Sequence, residues 1–251
     1  MSKIILIFAR QYKYNIMCNN GQSAALSLSE SQLQVFLSGI LGDGYIHTTN
    51  SNSTYFTTNC KFEEYIDYKA QLLGNLFISK SIQVENGYCK TPIYTLRSRS
   101  DKRLLVLKGL EVDTILSNLT ELGVALWFYD DGSLHKSSLF YNLNTHSFPK
   151  DIQEQYFIPF FNNLGIYPAL QIERKKDGRQ FWYLRIGKFS GADKVSAILE
   201  KYPLNCYSYK RWSSETIQKW SKFQEELKST DVDFNSLSTQ AKTALYKKLT
   251  T

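Results

Sequence analysis

An α+β fold of two pseudo-symmetric halves, each running helix, two strands, helix, two strands, helix, is predicted by three observations. The sequence repeats at one fixed offset, the repeated segments switch between helical and strand periodicity, and each copy opens with an apolar run closed by Asp-Gly. Asp43-Gly44-Tyr45-Ile46-His47 is answered 88 positions on by Asp131-Gly132-Ser133-Leu134-His135. Ile82-Gln83-Val84-Glu85 is answered by Leu170-Gln171-Ile172-Glu173, and Tyr94-Thr95-Leu96-Arg97 by Trp182-Tyr183-Leu184-Arg185. Asn75-Leu76 falls on Asn163-Leu164, again with no gap. Short matches arise by chance; several sharing one offset do not. The period is too long for a solenoid, so two similar halves pairing as a pseudo-dimer is the expected architecture.

The elements follow in order. Ser29 reads as the N-cap of a helix over 31–43, with Gln32 three positions later and Gly44 as its stop. Polar strands are expected at 46–49 and 54–60, then an amphipathic helix over 63–78. Segments 82–85 and 93–99 alternate apolar and polar, as half-buried strands do. A helix over 102–110 ends the first half, and 112–120 links it to the second. From Glu121 the order recurs: helix to Asp131, strands near 134 and 140–145, helix 149–164, a hairpin turning at Asp177-Gly178, and a helix over 188–200. Residues 1–28 form an N-terminal extension, 29–111 and 121–212 the halves, and 213–251 a C-terminal extension of two helices without upstream counterpart.

Composition bounds the chemistry. The chain has 251 residues, 43% of them apolar and 14% aromatic, which is enough for a substantial core. A net charge of +7 with a pI near 9.0 favours an acidic partner, nucleic acid ahead of membrane. No apolar stretch approaches a membrane span, and Ile4–Phe8 lacks a convincing cleavage site. Cys18, Cys60, Cys89 and Cys206 form no CxxC pair and suggest a reducing compartment.

The two Asp-Gly pairs carry the chemistry. A carboxylate at the end of a buried helix is costly unless a cation sits beside it, and having two suggests acids meeting at one centre. Ser38 and Gly42, four apart and small, let helix backbones approach closely, which would bring Asp43 and Asp131 together. Adjacent carboxylates repel unless divalent cations lie between them, and oxygen ligands suit Mg²⁺ or Mn²⁺. Such ions can assist phosphodiester hydrolysis. The plainer alternative is that each Asp-Gly merely stops a helix.

Phe36–Gly44 and Val124–Gly132 resemble the two LAGLIDADG motifs, and the chain looks like a single-chain LAGLIDADG homing endonuclease. Ile40-Leu41-Gly42-Asp43-Gly44, Trp127-Phe128-Tyr129-Asp130-Asp131-Gly132-Ser133, Asn144-Thr145-His146-Ser147-Phe148 and Leu204-Asn205-Cys206-Tyr207 are similar to the mitochondrial omega-intron branch. The resemblance spans about 32–212. It implies a saddle of antiparallel sheets that binds double-stranded DNA as a monomer, with Asp43 and Asp131 as catalytic metal ligands. Gly42 and Asp130 lie beside them as secondary metal-site candidates. It also implies a basic residue near each scissile phosphate, and by position these are Lys108 and Lys210. Lys108 lacks the proline that commonly follows in relatives. Ser38 and Leu126 depart from the motif's small residues.

One face of each hairpin is expected to read DNA, since a two-stranded ribbon fits the major groove. That face comprises Gln83, Glu85, Thr95 and Arg97 in the first half. Gln171, Glu173, Tyr183 and Arg185 are their counterparts, while Lys175, Lys176 and Arg179 at the tip would meet phosphates. An ordinary solvated face is the alternative. His47 and His135 fit a DNA-facing strand better than catalysis, the three histidines having no zinc-like spacing. His146 is a further candidate for positioning water or phosphate. Homing endonucleases and RNA-binding intron maturases share this fold, so intron RNA is the rival partner. Two acids beside a polyanion favour the nuclease. The sequence leaves the host genome open among organelle, phage and bacterium.

Overall fold

The computed structural model describes residues 14–17, 23–49, 53–84 and 91–250, the backbone only over 14–17 and 23–26. A short antiparallel hairpin, β1 (Tyr14–Met17) and β2 (Ser23–Leu26), precedes the first motif helix. Ser29 and Gln32 then close a reciprocal capping box, Ser29 Oγ accepting from the Gln32 amide at 3.2 Å and Gln32 Oε1 from the Ser29 amide at 3.0 Å. Helix α1 (Glu30–Leu41) follows. From Leu33 to Gly39 every residue is buried, so this helix has no solvent face and must sit inside the molecule.

The chain continues through β3 (Gly44–Thr48), β4 (Thr54–Cys60), α2 (Glu63–Leu73), β5 (Phe77–Gln83) and β6 (Ile93–Ser98). Helix α2 stops five residues short of the expected end. Gly74 turns the backbone to φ 53°, and a 3₁₀ turn feeds directly into β5, which therefore begins earlier than its apolar alternation suggests. The expected link is itself helical: α3 (Arg103–Lys108) is followed by α4 (Val112–Ser117).

The second motif helix, α5 (Glu121–Asp131), is likewise buried from Gly123 to Tyr129. Then come β7 (Gly132–His135), β8 (Phe140–Leu143) and α6 (Lys150–Ile152), which runs through a π-turn at Gln153–Phe157 into α7 (Ile158–Asn163). Strands β9 (Ala169–Arg174) and β10 (Gln180–Ile186) form the last hairpin, and a wide turn at Lys188–Ala192 leads into α8 (Asp193–Lys201). Two further helices, α9 (Ser214–Lys228) and α10 (Thr239–Thr250), end the chain. No helix among the described residues is long and apolar enough to cross a membrane.

Each half carries a four-stranded antiparallel sheet of the same order, β3-β4-β6-β5 and β7-β8-β10-β9. Ile46, Phe56 and Leu96 bury one face of the first sheet; Tyr141, Leu143, Leu184 and Ile186 bury that of the second. Helices α1 and α5 pack against one another between the halves. Gln34, fully buried on α1, fastens this pairing: its amide donates to the Asn118 carbonyl and its oxygen accepts from the Thr120 amide, both at 2.9 Å. A methyl group at Gly123 would lie 2.3 Å from that oxygen, so only glycine admits the clip.

Candidate active site

The ends of α1 and α5 meet. A side chain added at Gly42, the C-cap of α1, would start 3.0 Å from the Asp130 Cβ and 3.0 Å from an Asp131 carboxylate oxygen. The small residue at this position is therefore what lets the acids of the second motif lie against the end of the first. Asp43 follows at once and reaches the surface. Its carboxyl is raised above the ordinary range by burial against the protein, then by Asp130, with Lys69 and Lys210 opposing. Asp131 is pushed up to about 7, first by desolvation and next by the negative charges of Asp43 and Asp130. Asp43 and Asp131 thus share one electrostatic site.

Two buried cations underlie these acids. Lys210 donates to the Phe128 and Tyr129 carbonyls at 3.1 and 2.6 Å, satisfying the last turn of α5 at the negative end of its dipole. Burial lowers its ammonium to about 8 although all three acids favour its charge. Lys69 on α2 faces the site from the first half. It donates to both oxygens of Asp130 at 2.9 and 3.0 Å and to Thr58 at 3.2 Å. Its side chain is fully buried and that of Asp130 is 1% exposed. Each ammonium lies over a tyrosine ring, Lys69 over Tyr65 at 4.4 Å and Lys210 over Tyr207 at 4.5 Å.

Lys69 was not legible as a site residue. The available signal is a lysine at the fourth position after Tyr65, within the buried set Tyr65, Ile66, Lys69 and Leu73 of an amphipathic helix. Lys108 stands elsewhere. It is exposed on α3, donates to Thr48 at 3.2 Å and lies near the Tyr45 ring, at the end of β3. It does not figure among the charges acting on Asp43 or Asp131.

The outward faces of the two sheets carry the recognition candidates. Register places Gln83, Thr95 and Arg97 on one face with Tyr45, His47, Tyr55, Thr57 and Asn59. Glu85 lies outside the described residues. On the second sheet Gln171, Glu173, Tyr183 and Arg185 share a face with Ser133, His135, Phe140 and Asn142. The faces repeat a motif the sequence concealed. His47 stacks on Tyr55 at 4.8 Å with Arg97 over the same ring at 4.0 Å; His135 stacks on Phe140 at 4.2 Å with Arg185 over it at 4.6 Å. Arg185 also donates to Asn142 and to the Tyr183 hydroxyl. At the exposed tip Lys175 pairs with Glu173 and Arg179 with Asp177, while Lys176 is exposed beside them. His146 packs edge-on to Phe181 and Tyr183, its Nε2 3.5 Å from Glu173.

Oxygen-preferring divalent cations fit this centre. No three His, Cys, Asp or Glu side chains among the described residues form a ready cage. Magnesium-like ions, however, keep waters and substrate oxygens in their shell and need only one or two carboxylates. Asp43 and Asp131, mutually repelling and partly desolvated, supply that donor set, whereas both oxygens of Asp130 already face Lys69.

Paired carboxylates where two buried helices end, flanked by two cationic and aromatic sheet faces, define a two-repeat protein built for a polyanion. The chain belongs to the LAGLIDADG DNA endonuclease family, whose sequence pattern matches residues 33–193, and is by that class a DNA-cleaving hydrolase. Among solved structures it is similar to the homing endonuclease I-WcaI bound to its DNA recognition sequence, at 20% identity and a TM-score of 0.60, over 73% of this chain and 86% of that one. Mesophilic variants of the homing endonuclease I-DmoI match at 18% identity and a TM-score of 0.46, over 70% of this chain and 99% of theirs. No curated protein matches.

Proposed function

We propose that this chain is a monomeric, site-specific homing endonuclease, encoded within an intron, that makes one cut in each strand of a long asymmetric DNA target with Mg²⁺ or Mn²⁺. The convergence of Asp43 and Asp131 between two outward-facing sheets supports this reading above any other observation. The neighbours I-WcaI and I-DmoI are homing endonucleases, and I-DmoI structures include DNA with Mn, Ca or Mg. Asp43 and Asp131 would hold the ions; when bound, these would supply Lewis-acid stabilisation of the phosphoryl charge and a more acidic water. Lys69 holds the neighbouring Asp130 carboxylate and Lys210 holds the last turn of α5, which leaves the carboxyls of Asp43 and Asp131 without either lysine as a hydrogen-bond partner. The incubation that tests the reading joins the protein, Mg²⁺ and an intronless copy of its host gene. A discrete double-strand cut is expected, with intron-containing DNA resistant. Absence of cutting with tight binding of the intron RNA would replace the nuclease by a maturase.

Two predictions arise from the same geometry. The repulsion between Asp43 and Asp131 destabilises the metal-free fold, so Asp131→Asn should stabilise it by about 0.5–2 kcal/mol, as relief of a functional strain does. Mg²⁺ should raise the melting temperature of the wild type and leave that of Asp131→Asn nearly unmoved. Thermal melts with and without the ion check both statements. On the recognition face, Arg185→Ala should weaken target binding by about 1–3 kcal/mol and relax sequence preference at one position, as loss of a direct base contact does. Loss that is uniform across every target position would reduce Arg185 to a phosphate contact.

A further inference from the structure

Between α9, α10 and the end of the second sheet lies a cleft of about 810 Å³. Lys136, Arg185, Lys188, Lys219 and Lys242 line it, with no carboxylate side chain among the described lining residues. Lys188 sits half-buried within it, 2.8 Å from the centre of the Tyr246 ring, and burial holds its ammonium down to about 8. Lys219 pairs with Glu215 one turn back, an exposed contact of little strength. Such a concentration of like charge is costly to assemble unless an anion balances it.

The place of the cleft selects the anion. Phe140, Ala169 and Arg185 belong both to its wall and to the outward face of the sheet, so the two surfaces are continuous. The cleft adjoins the β7–β8 turn, at the strand ends opposite the tip that carries Lys175, Lys176 and Arg179. Strand β10 has seven residues and so spans roughly 20 Å, against a major groove ~12 Å wide. A ribbon that runs across that groove overhangs it at both ends. One end then rests on each of the two phosphate backbones that border the groove.

We propose that this cleft is a phosphodiester-backbone site, in which α9 and α10 grip one DNA strand at the edge of the groove read by the second sheet. The proposal rests on the DNA-binding reading of that sheet. It makes the two halves unequal, because the helices after Trp212 have no counterpart upstream.

The test uses the full chain and a DNA duplex of arbitrary sequence, to which binding is almost wholly through phosphates. The variant Lys136→Gln/Lys219→Gln/Lys242→Gln removes three cleft charges, two exposed and that of Lys242 half-buried; Lys201→Gln/Lys222→Gln/Lys228→Gln removes three exposed charges elsewhere. Affinity is followed across a salt series. Each lost phosphate contact lowers the slope of log K against log salt by ~0.9, so the cleft variant should lose about 2–3 from its slope. The control variant should keep the wild-type slope. An unchanged slope in the cleft variant, or an equal fall in the control, overturns the site. So does a fall seen with double-stranded RNA and absent with DNA. Cleavage of the specific target should persist in the control variant, since neither the cleft nor Asp43 and Asp131 are touched. A cleft that fails this test in a protein that still cuts leaves the nuclease reading intact.

Discussion

Asp43→Asn and Asp131→Asn are each expected to lower DNA cleavage by at least ~10³-fold, equivalent to ~4 kcal/mol of barrier, while target affinity is retained or rises. Asparagine keeps the size of aspartate and one carbonyl oxygen but loses the charge that holds a divalent cation. The fold has little reason to suffer. Both carboxyls are raised by burial, Asp43 further by the charge of Asp130 and Asp131 by those of Asp43 and Asp130, so neutralising either acid removes a repulsion or a desolvation cost. Binding should not weaken either, because a carboxylate facing a polyphosphate opposes association. Conversion of a supercoiled plasmid carrying the target separates the possible outcomes, with nicked and linear products scored individually and affinity measured in parallel without Mg²⁺. Neither product should accumulate with either variant. Full cutting by one of them would remove that acid from the site. Lost cleavage together with lost binding would point to a structural role.

How much of this was legible from the chain depends on what the repeat carries. Residues on the motif helices and on the first, third and fourth strands of each half keep the offset of 88, so Asp43 with Asp131, Arg97 with Arg185 and His47 with His135 are found by self-comparison. Tyr55 and Phe140, the rings between His and Arg, escape it. The second hairpin reaches its ring three residues sooner, five after His135 against eight after His47, so they fall out of register in sequence while matching in space. Helix α2 was read too long because Leu76, Phe77 and Ile78 prolong its apolar pattern past Gly74, where a positive φ ends it. Lys69 was hidden for a different reason. Its counterpart at the same offset is Phe157, and its partner Asp130 is the counterpart of Gly42. A charge pair that replaces an apolar residue in one half and a glycine in the other obeys no repeat. Only the crossing of the halves brings the two together.

That pair yields the second large expected effect. Lys69→Met should destabilise the protein by about 3–5 kcal/mol, the cost of leaving a buried charge without its partner. Asp130 is nearly inaccessible, and Lys69 supplies hydrogen bonds to both of its oxygens. Water cannot take over that role without opening the junction of α1, α2 and α5. Methionine preserves the stem packed against Tyr65, so the loss reports the ammonium rather than a cavity. The double variant Lys69→Met/Asp130→Asn should recover most of the loss, because the charge left stranded is then gone as well. Denaturant unfolding of both single variants and the double variant gives the coupling directly. If Asp130 serves only as the partner of Lys69, the double variant should also keep target cleavage near the wild-type rate. A double variant that folds well but no longer cuts would make Asp130 a third member of the metal site. Lys69 would then be the cation that holds it there.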